Sequence, residues 1–376
     1  IRCKNCLNLS TRPRIKFDSK GICNACLWTE EKKTIDWEKR TDELKDLVSN
    51  AKKNTKSYDC LIPVSGGKDG SYVTHQLKTI YGLNPLCVTF RPPLEMDLGK
   101  NNLNNFIKSD IAHIHITPNA KSMKAFNKFG FIEKGFPYYG FLVGINCACL
   151  RIASNFGINL VFYGENEGEY GNPIADNYSS LRKKSFFSSK NYKKLYLSGV
   201  KIEDILKNTE LTSTDLNTFL PYTEEKLNEK IEIHYLGYYL KWVPQEVYYY
   251  AVENCNFAAR PFRTQGTYSK YNSIDDKIDD LHYYTTFIKF GLGRASYDAS
   301  QEIRNDHLNR EEAKQLVERF DGEFPDKYLD DVLEYLEIKQ SKFLKICDKF
   351  RSPHLWKRVK KQWRLRHTVN HSGADD

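Results

Sequence analysis

The run Asp59-Cys60-Leu61-Ile62-Pro63-Val64-Ser65-Gly66-Gly67-Lys68-Asp69-Gly70-Ser71 constrains this chain more than any other, because a short apolar segment gives way at once to a glycine-rich turn. Cys60, Leu61, Ile62 and Val64 read as a buried strand and Ser65-Gly66-Gly67 as the turn. Asp69 onward reads as a helix with Val73, Leu77 and Ile80 on one face. Such a helix aims its N-terminus at the loop. Free amides at a helix start, with the positive end of its dipole, form an anion site, and glycines let the backbone approach a phosphate without a Cβ clash. A GxxxxGK(S/T) sequence is missing from this segment, so γ-phosphoryl transfer of the Walker A kind has no anchor in it.

The loop resembles the SGGxD signature of the PP-loop ATP pyrophosphatases. That resemblance implies cleavage of ATP between its α- and β-phosphates and transfer of AMP to a carbonyl oxygen, with Val64 through Ser71 around the nucleotide. Further along, strands are expected at 85–90, 111–117 and 159–163, and helices at 98–108, 122–129 and 142–156. This alternation predicts an α/β fold, a doubly wound parallel sheet with ligands at the carboxyl ends of its strands. The last strand runs into Gly164-Glu165-Asn166-Glu167-Gly168-Glu169-Tyr170-Gly171, where a switch-point loop should lie. It is a candidate second wall of the nucleotide site, with Gly164 near the nucleotide and Glu165 or Glu169 holding magnesium or orienting a substrate. Composition alone also permits an ordinary acidic turn.

Cys3-x-x-Cys6 and Cys23-x-x-Cys26 are separated by 16 residues, a spacing that brings four thiolates around one tetrahedral metal. With every position filled by sulfur, no site stays open for water, so a zinc ion there would be structural. Rubredoxin-like iron uses similar ligands and stays open as the alternative. Two disulfides would suit an oxidising compartment, but paired cysteines stand where a secretory signal needs an apolar stretch. The expected localisation is cytoplasmic. Apolar runs also fall short of the roughly 20 residues that span a bilayer, so membrane insertion is not expected.

With 376 residues, the chain has room for a large α/β core and accessory units. Its expected organisation is a cysteine module (1–30), a helical connector (31–57) with Trp28, Ile35, Trp37, Leu44 and Leu47 as packing residues, the loop-bearing α/β domain (58–171), and a polar insertion or lid (172–232). The substrate-side part (233–310) and C-terminal helices with a basic tail (311–376) follow. Formal charge is +9. In the tail Lys357, Arg358, Lys360, Lys361, Arg364 and Arg366 interleave with Trp356 and Trp363. A solvated basic helix with packed tryptophans is favoured over a nucleic-acid contact. The aromatic block 235–242 can stack on a sugar or base but is more often core. Arg294, flanked by glycines, and Arg304 can clamp a carboxylate or phosphate, or else pair internally with Asp298 and Glu302.

Several blocks taken in order carry a finer resemblance: CKNC with CNAC, SGGKDGSY, YGENEGEYG, LGYYLKWVPQE, RTQGTYSKYNSIDDKIDDLHYY, KFGLGRASYDASQEIR and NREEA. Together they resemble the N-acetyl sugar amidotransferases, a PP-loop branch used in bacterial surface-sugar biosynthesis. The resemblance implies conversion of a sugar acetamido group to an acetamidino group. An amide oxygen is a poor leaving group, so ATP would adenylate it before ammonia attacks the imidate carbon.

In that reading Ser65, Gly66, Gly67, Lys68 and Ser71 hold pyrophosphate, Asp69 carries Mg²⁺, Lys68 offsets phosphate charge and Glu165 takes part in catalysis. Glu169, Tyr268, Arg294 and Arg304 face the sugar. No glutaminase motif is apparent, so ammonia is expected from a separate glutaminase subunit; a homo-oligomer is compatible, and nucleic acid is not an expected partner. Two readings compete. A PP-loop tRNA-modifying enzyme would use Cys147 and Cys149 as sulfur carriers, and a non-catalytic regulator would bind ATP without releasing pyrophosphate.

Overall fold

The computed structural model describes residues 1–54, 57–172, 178–182, 196–197, 200–220 and 230–370. Five short strands form one parallel sheet: β1 (Cys60–Pro63), β2 (Pro85–Phe90), β3 (Ala112–Ile116), β4 (Leu160–Tyr163) and β5 (Glu232–Tyr235). Their order is β3-β2-β1-β4-β5, so the sheet reverses direction of growth between β1 and β4. Cys60 is in register with Pro85, Leu61 with Val161, and Phe162 with His234. This is the doubly wound arrangement expected, and its ligand crevice lies outside the carboxyl ends of β1 and β4. Nearly continuous apolar strands follow from burial on both faces.

β5 escaped the sequence reading, which split it between two expected units. Its four residues, Glu-Ile-His-Tyr, are too short and too polar at one end to announce a strand. It is covered along its outer side by residues 180–182, where Arg182 N–H donates to the Ile233 carbonyl at 2.7 Å and Tyr235 N–H to that of Ser180 at 3.1 Å. The expected lid lies partly outside the described residues. Where it is described, Ile202, Ile205, Leu216 and Phe219 are buried with Phe126 and Phe141, so that stretch serves as core.

Helix α1 (Asn24–Lys32) leaves the second cysteine pair, and α2 (Trp37–Asn54) follows. α3 (Lys68–His75) starts at the glycine turn and continues as a π-helical turn, Gln76–Ile80. Val73 and Leu77 are buried as expected, but Ile80 is 61% exposed. The wider π turn advances the register by a residue and swings Ile80 off the apolar face.

The basic tail departs further. It is an antiparallel hairpin, β6 (Trp356–Val359) and β7 (Gln362–Leu365), in which Lys357 faces Arg364. Lys360 and Lys361 make the two-residue turn with φ of 48° and 68°. Two successive left-handed residues end a helix and close a hairpin. The tryptophans do pack inward: Trp356 Nε1–H donates to the Ile288 carbonyl at 2.8 Å, and Trp363 Nε1–H to Asp348 at 2.9 Å. The last residues, Gly373-Ala374-Asp375-Asp376, fall outside the described part. Among the described residues no helix is long and apolar enough to cross a membrane.

Candidate active site

A cavity of about 250 Å³ opens over the glycine turn at the carboxyl end of β1. Ser65, Gly67, Lys68 and Asp69 form its floor. The other named loop residues support that floor from behind. Gly66 has φ of +85°, and a Cβ there would sit 2.7 Å from the Gly99 carbonyl oxygen, so only glycine lets the turn pack on the helix Asp97–Ile107. Val64 is buried, Gly70 lies against Val64, and the Ser71 hydroxyl donates to the Gly67 carbonyl at 2.9 Å. Lys68 is buried. Its ammonium meets Asp69 Oδ1 at 2.5 Å and lies 5.5 Å from the centre of the Tyr271 ring.

The second wall comes from the loop after β4, where Glu165 and Tyr170 line the cavity. The Tyr170 hydroxyl donates to Glu165 Oε1. Burial, then the nearby Asp69 charge, push the Glu165 carboxyl up, and the Tyr170 hydrogen bond opposes them. Gly164 turns away from the cavity onto the Trp242 ring. Glu169 also faces away. It accepts from Trp28 Nε1–H at 2.9 Å and Lys32 Nζ at 2.8 Å, which leaves Glu165 as the carboxylate of this loop available to a ligand.

The third wall is the helix Arg294–Arg304, which presents Arg294, Tyr297, Asp298 and Gln301. These positions follow the i, i+3, i+4, i+7 spacing of one helix face. Arg294 donates through Nε to Asp298 at 2.9 Å. Arg304, ten residues on, lies roughly 80° round the helix. Its Nη2 donates to the Glu169 carbonyl at 3.0 Å, behind the cavity. Tyr268 likewise faces away from the cavity and donates to Glu302 at 2.9 Å. Of the four expected sugar-facing residues, Arg294 alone lines the cavity.

Sequence reasoning passed over Asp275, Tyr271, Tyr283 and Tyr297. The signal was present for Tyr297, in the helical spacing from Arg294, and absent for Asp275, which sits in an irregular turn. Asp275 accepts from the Ser65 hydroxyl, and burial pushes its carboxyl up. Beneath it, Ser273 donates to Asp279 at 2.8 Å, and burial pushes Asp279 to about 7. The cavity therefore gathers four carboxylates, Asp69, Glu165, Asp275 and Asp298, against two cations, Lys68 and Arg294. A polyphosphate would enter such a site only with a divalent cation, and Asp69 with Glu165 is the oxygen-donor pair placed to hold one.

Away from this cavity, the sulfurs of Cys3, Cys6, Cys23 and Cys26 all lie within 4.8 Å of one another, with neighbouring pairs at 3.6–3.8 Å. Tetrahedral zinc with Zn–S of about 2.3 Å requires sulfurs about 3.8 Å apart. Backbone amides of Asn8 and Cys23 point at Cys6 and Cys3 sulfurs at 3.4 and 3.2 Å, as suits metal-bound thiolates. None of the ten cysteines is joined in a disulfide. Cys147 and Cys149 are deeply buried, and burial pushes both up to about 12, which is unfavourable for sulfur transfer.

Residues 265–370 match the family described as LPS biosynthesis protein WbpG-like, C-terminal domain. An uncharacterized protein of Methanocaldococcus jannaschii is 37% identical over 89 residues, 23% of this chain and 32% of that protein's length. The chain thus spans about a third of that relative. The U34-tRNA thiolase NcsA of Methanococcus maripaludis, solved with its 4Fe–4S cluster, aligns over 82% of this chain and 90% of its own. Its identity is 13% and its TM-score 0.32, too low to bear on chemistry. The chain thus combines a serine-glycine-glycine loop on a doubly wound sheet with a C-terminal part, residues 265–370, that is similar to the WbpG-like C-terminal domain.

Proposed function

We propose that the chain is an ATP-dependent N-acetyl sugar amidotransferase of surface-glycan biosynthesis, for lipopolysaccharide, capsule or flagellin, working in the cytoplasm. The observation that carries the reading is the cavity itself, in which the phosphate-type turn, an acidic pair and Arg294 face one another. The amides at the start of α3 and the Lys68 ammonium would bind the leaving pyrophosphate, and Asp69 with Glu165 would hold Mg²⁺, which supplies charge neutralisation there. Arg294 and the tyrosines would orient the sugar. The acetamido oxygen attacks the α-phosphorus, pyrophosphate leaves, and the oxygen becomes an AMP leaving group. Ammonia then adds to the imidate carbon, and AMP departs with the proton released from the incoming nitrogen, leaving the amidinium.

Ammonia would come from a separate glutaminase subunit. The four-cysteine site would hold structural zinc. Incubating the purified protein with ATP, Mg²⁺, ammonium and a panel of acetamido sugars tests the proposal. Pyrophosphate and AMP should form with one sugar, whose mass falls by the replacement of an oxygen with an NH group. Turnover seen only with tRNA would replace this reading by the thiolation-type one, and nucleotide binding without turnover on any substrate would favour the regulator.

A further inference from the structure

The four-cysteine module reaches the cavity through its second half. α1 starts directly after Cys23 and contains Cys26, so a metal on these sulfurs fixes where the helix begins. From there Asn24, Trp28 and Lys32 recur at intervals of four and share one face. That face lies on the loop after β4. Asn24 Nδ2 donates to the carbonyls of Gly171 and Asn172, the latter at 3.2 Å. Trp28 and Lys32 both donate to Glu169 Oε1, and Lys32 donates again to the Trp242 carbonyl at 3.2 Å. Approach is close enough that a Cβ on Gly171 would stand 2.6 Å from Ile15 Cδ1.

Two further contacts complete the grip. The Arg12 guanidinium stacks 4.0 Å over the Tyr297 ring and lies 5.9 Å from that of Tyr170, both of which line the cavity. From the helix Arg294–Arg304, Arg304 holds the Glu169 carbonyl on the other side. The Lys32–Glu169 pair is 5% and 4% exposed. A buried ion pair is a weak source of stability compared with apolar packing, and it fixes orientation instead.

We propose that the metal module is the positioning element of the active site: through Asn24, Trp28 and Lys32 it sets the loop that presents Glu165 and Tyr170, so metal occupancy and nucleotide affinity are coupled. This rests on the cavity being a nucleotide site, and the test separates the two ideas. Hydrogen exchange of residues 165–172 and ATP affinity are measured on the metal-loaded protein, the metal-depleted protein and the Trp28→Phe variant, which keeps a buried ring but loses the indole N–H.

Metal depletion should speed exchange in 165–172 and weaken ATP binding by on the order of tenfold, and saturating ATP should raise metal affinity, read by chelator competition at equilibrium, by the same factor. Trp28→Phe should retain its metal and melt near wild type, while exchange in 165–172 rises several-fold and that of β1 and β2 stays unchanged. Unchanged exchange in 165–172 for Trp28→Phe and for Lys32→Gln, each with full metal content, would overturn the proposal even if the metal-depleted protein unfolds. Should exchange respond as expected in a protein that binds no ATP, the positioning stands and the nucleotide reading falls.

Discussion

Loop 64–71 and loop 164–172 meet over one cavity at the ends of neighbouring strands, yet they are secured in opposite ways. The first is held by its own strand and helix: Gly70 rests on Val64, and Ser71 bonds Gly67. The second is gripped from outside, by Trp28 and Lys32, which are 141 and 137 residues away in sequence. A loop secured locally carries its function in a short motif. A loop secured at long range depends on a second unit being correctly built, and its motif says little about which carboxylate faces the ligand.

This contrast can be broken by substitution. Glu169→Ala leaves the Lys32 charge buried and uncompensated, and should cost about 3–5 kcal/mol of stability in denaturant unfolding. A loss below 1 kcal/mol would mean that the outer grip is slack. Lys68→Ala should leave unfolding nearly unchanged while lowering the rate of pyrophosphate release by about 10²–10³-fold. If it instead unfolds the protein, the first loop is less self-sufficient than its geometry implies.

Gly66→Ala combines a left-handed φ with a backbone clash, and should cost roughly 2–3 kcal/mol by the same unfolding measurement. Metal content should be untouched. Asp279→Asn probes ground belonging to neither loop. Because burial, and next the Asp275 charge, raise Asp279 from 3.8 to about 7, the folded state holds its proton more tightly than the unfolded chain. Its contribution to stability is complete below about pH 4 and declines as pH rises toward 7. The Asn variant should lack that decline, a difference on the order of 4 kcal/mol between pH 4 and 8. Parallel unfolding curves for both proteins across that range would refute it.

Much of the fold was legible because its signals are local: apolar runs for β1, β2 and β4, and the glycine turn. The site divides along the same line. Lys68, Asp69 and Glu165, which line the cavity, could be placed there because each closely follows a strand. Glu169, Tyr268 and Arg304, expected at the sugar from the resemblance, do not line it, because the side a residue faces is decided by helix phase and by α1. β5 and the C-terminal hairpin were lost for a related reason. Four-residue strands take their identity from a neighbour, and neither polar segment signals that neighbour by itself.

The cysteine module also touches the far end of the chain. Leu7 N–H donates to Ser300 at a separation of 293 residues, and Arg310 donates to the Cys3 carbonyl at a separation of 307. During synthesis the four sulfurs are therefore complete long before every surface exists on which the module rests. Metal capture can come early, but docking must wait until the helices beyond residue 294 have been made. The loop after β4 is then among the last parts to settle, so a chain ending before residue 294 would keep its four cysteines and its glycine turn and still lack the third wall of the cavity.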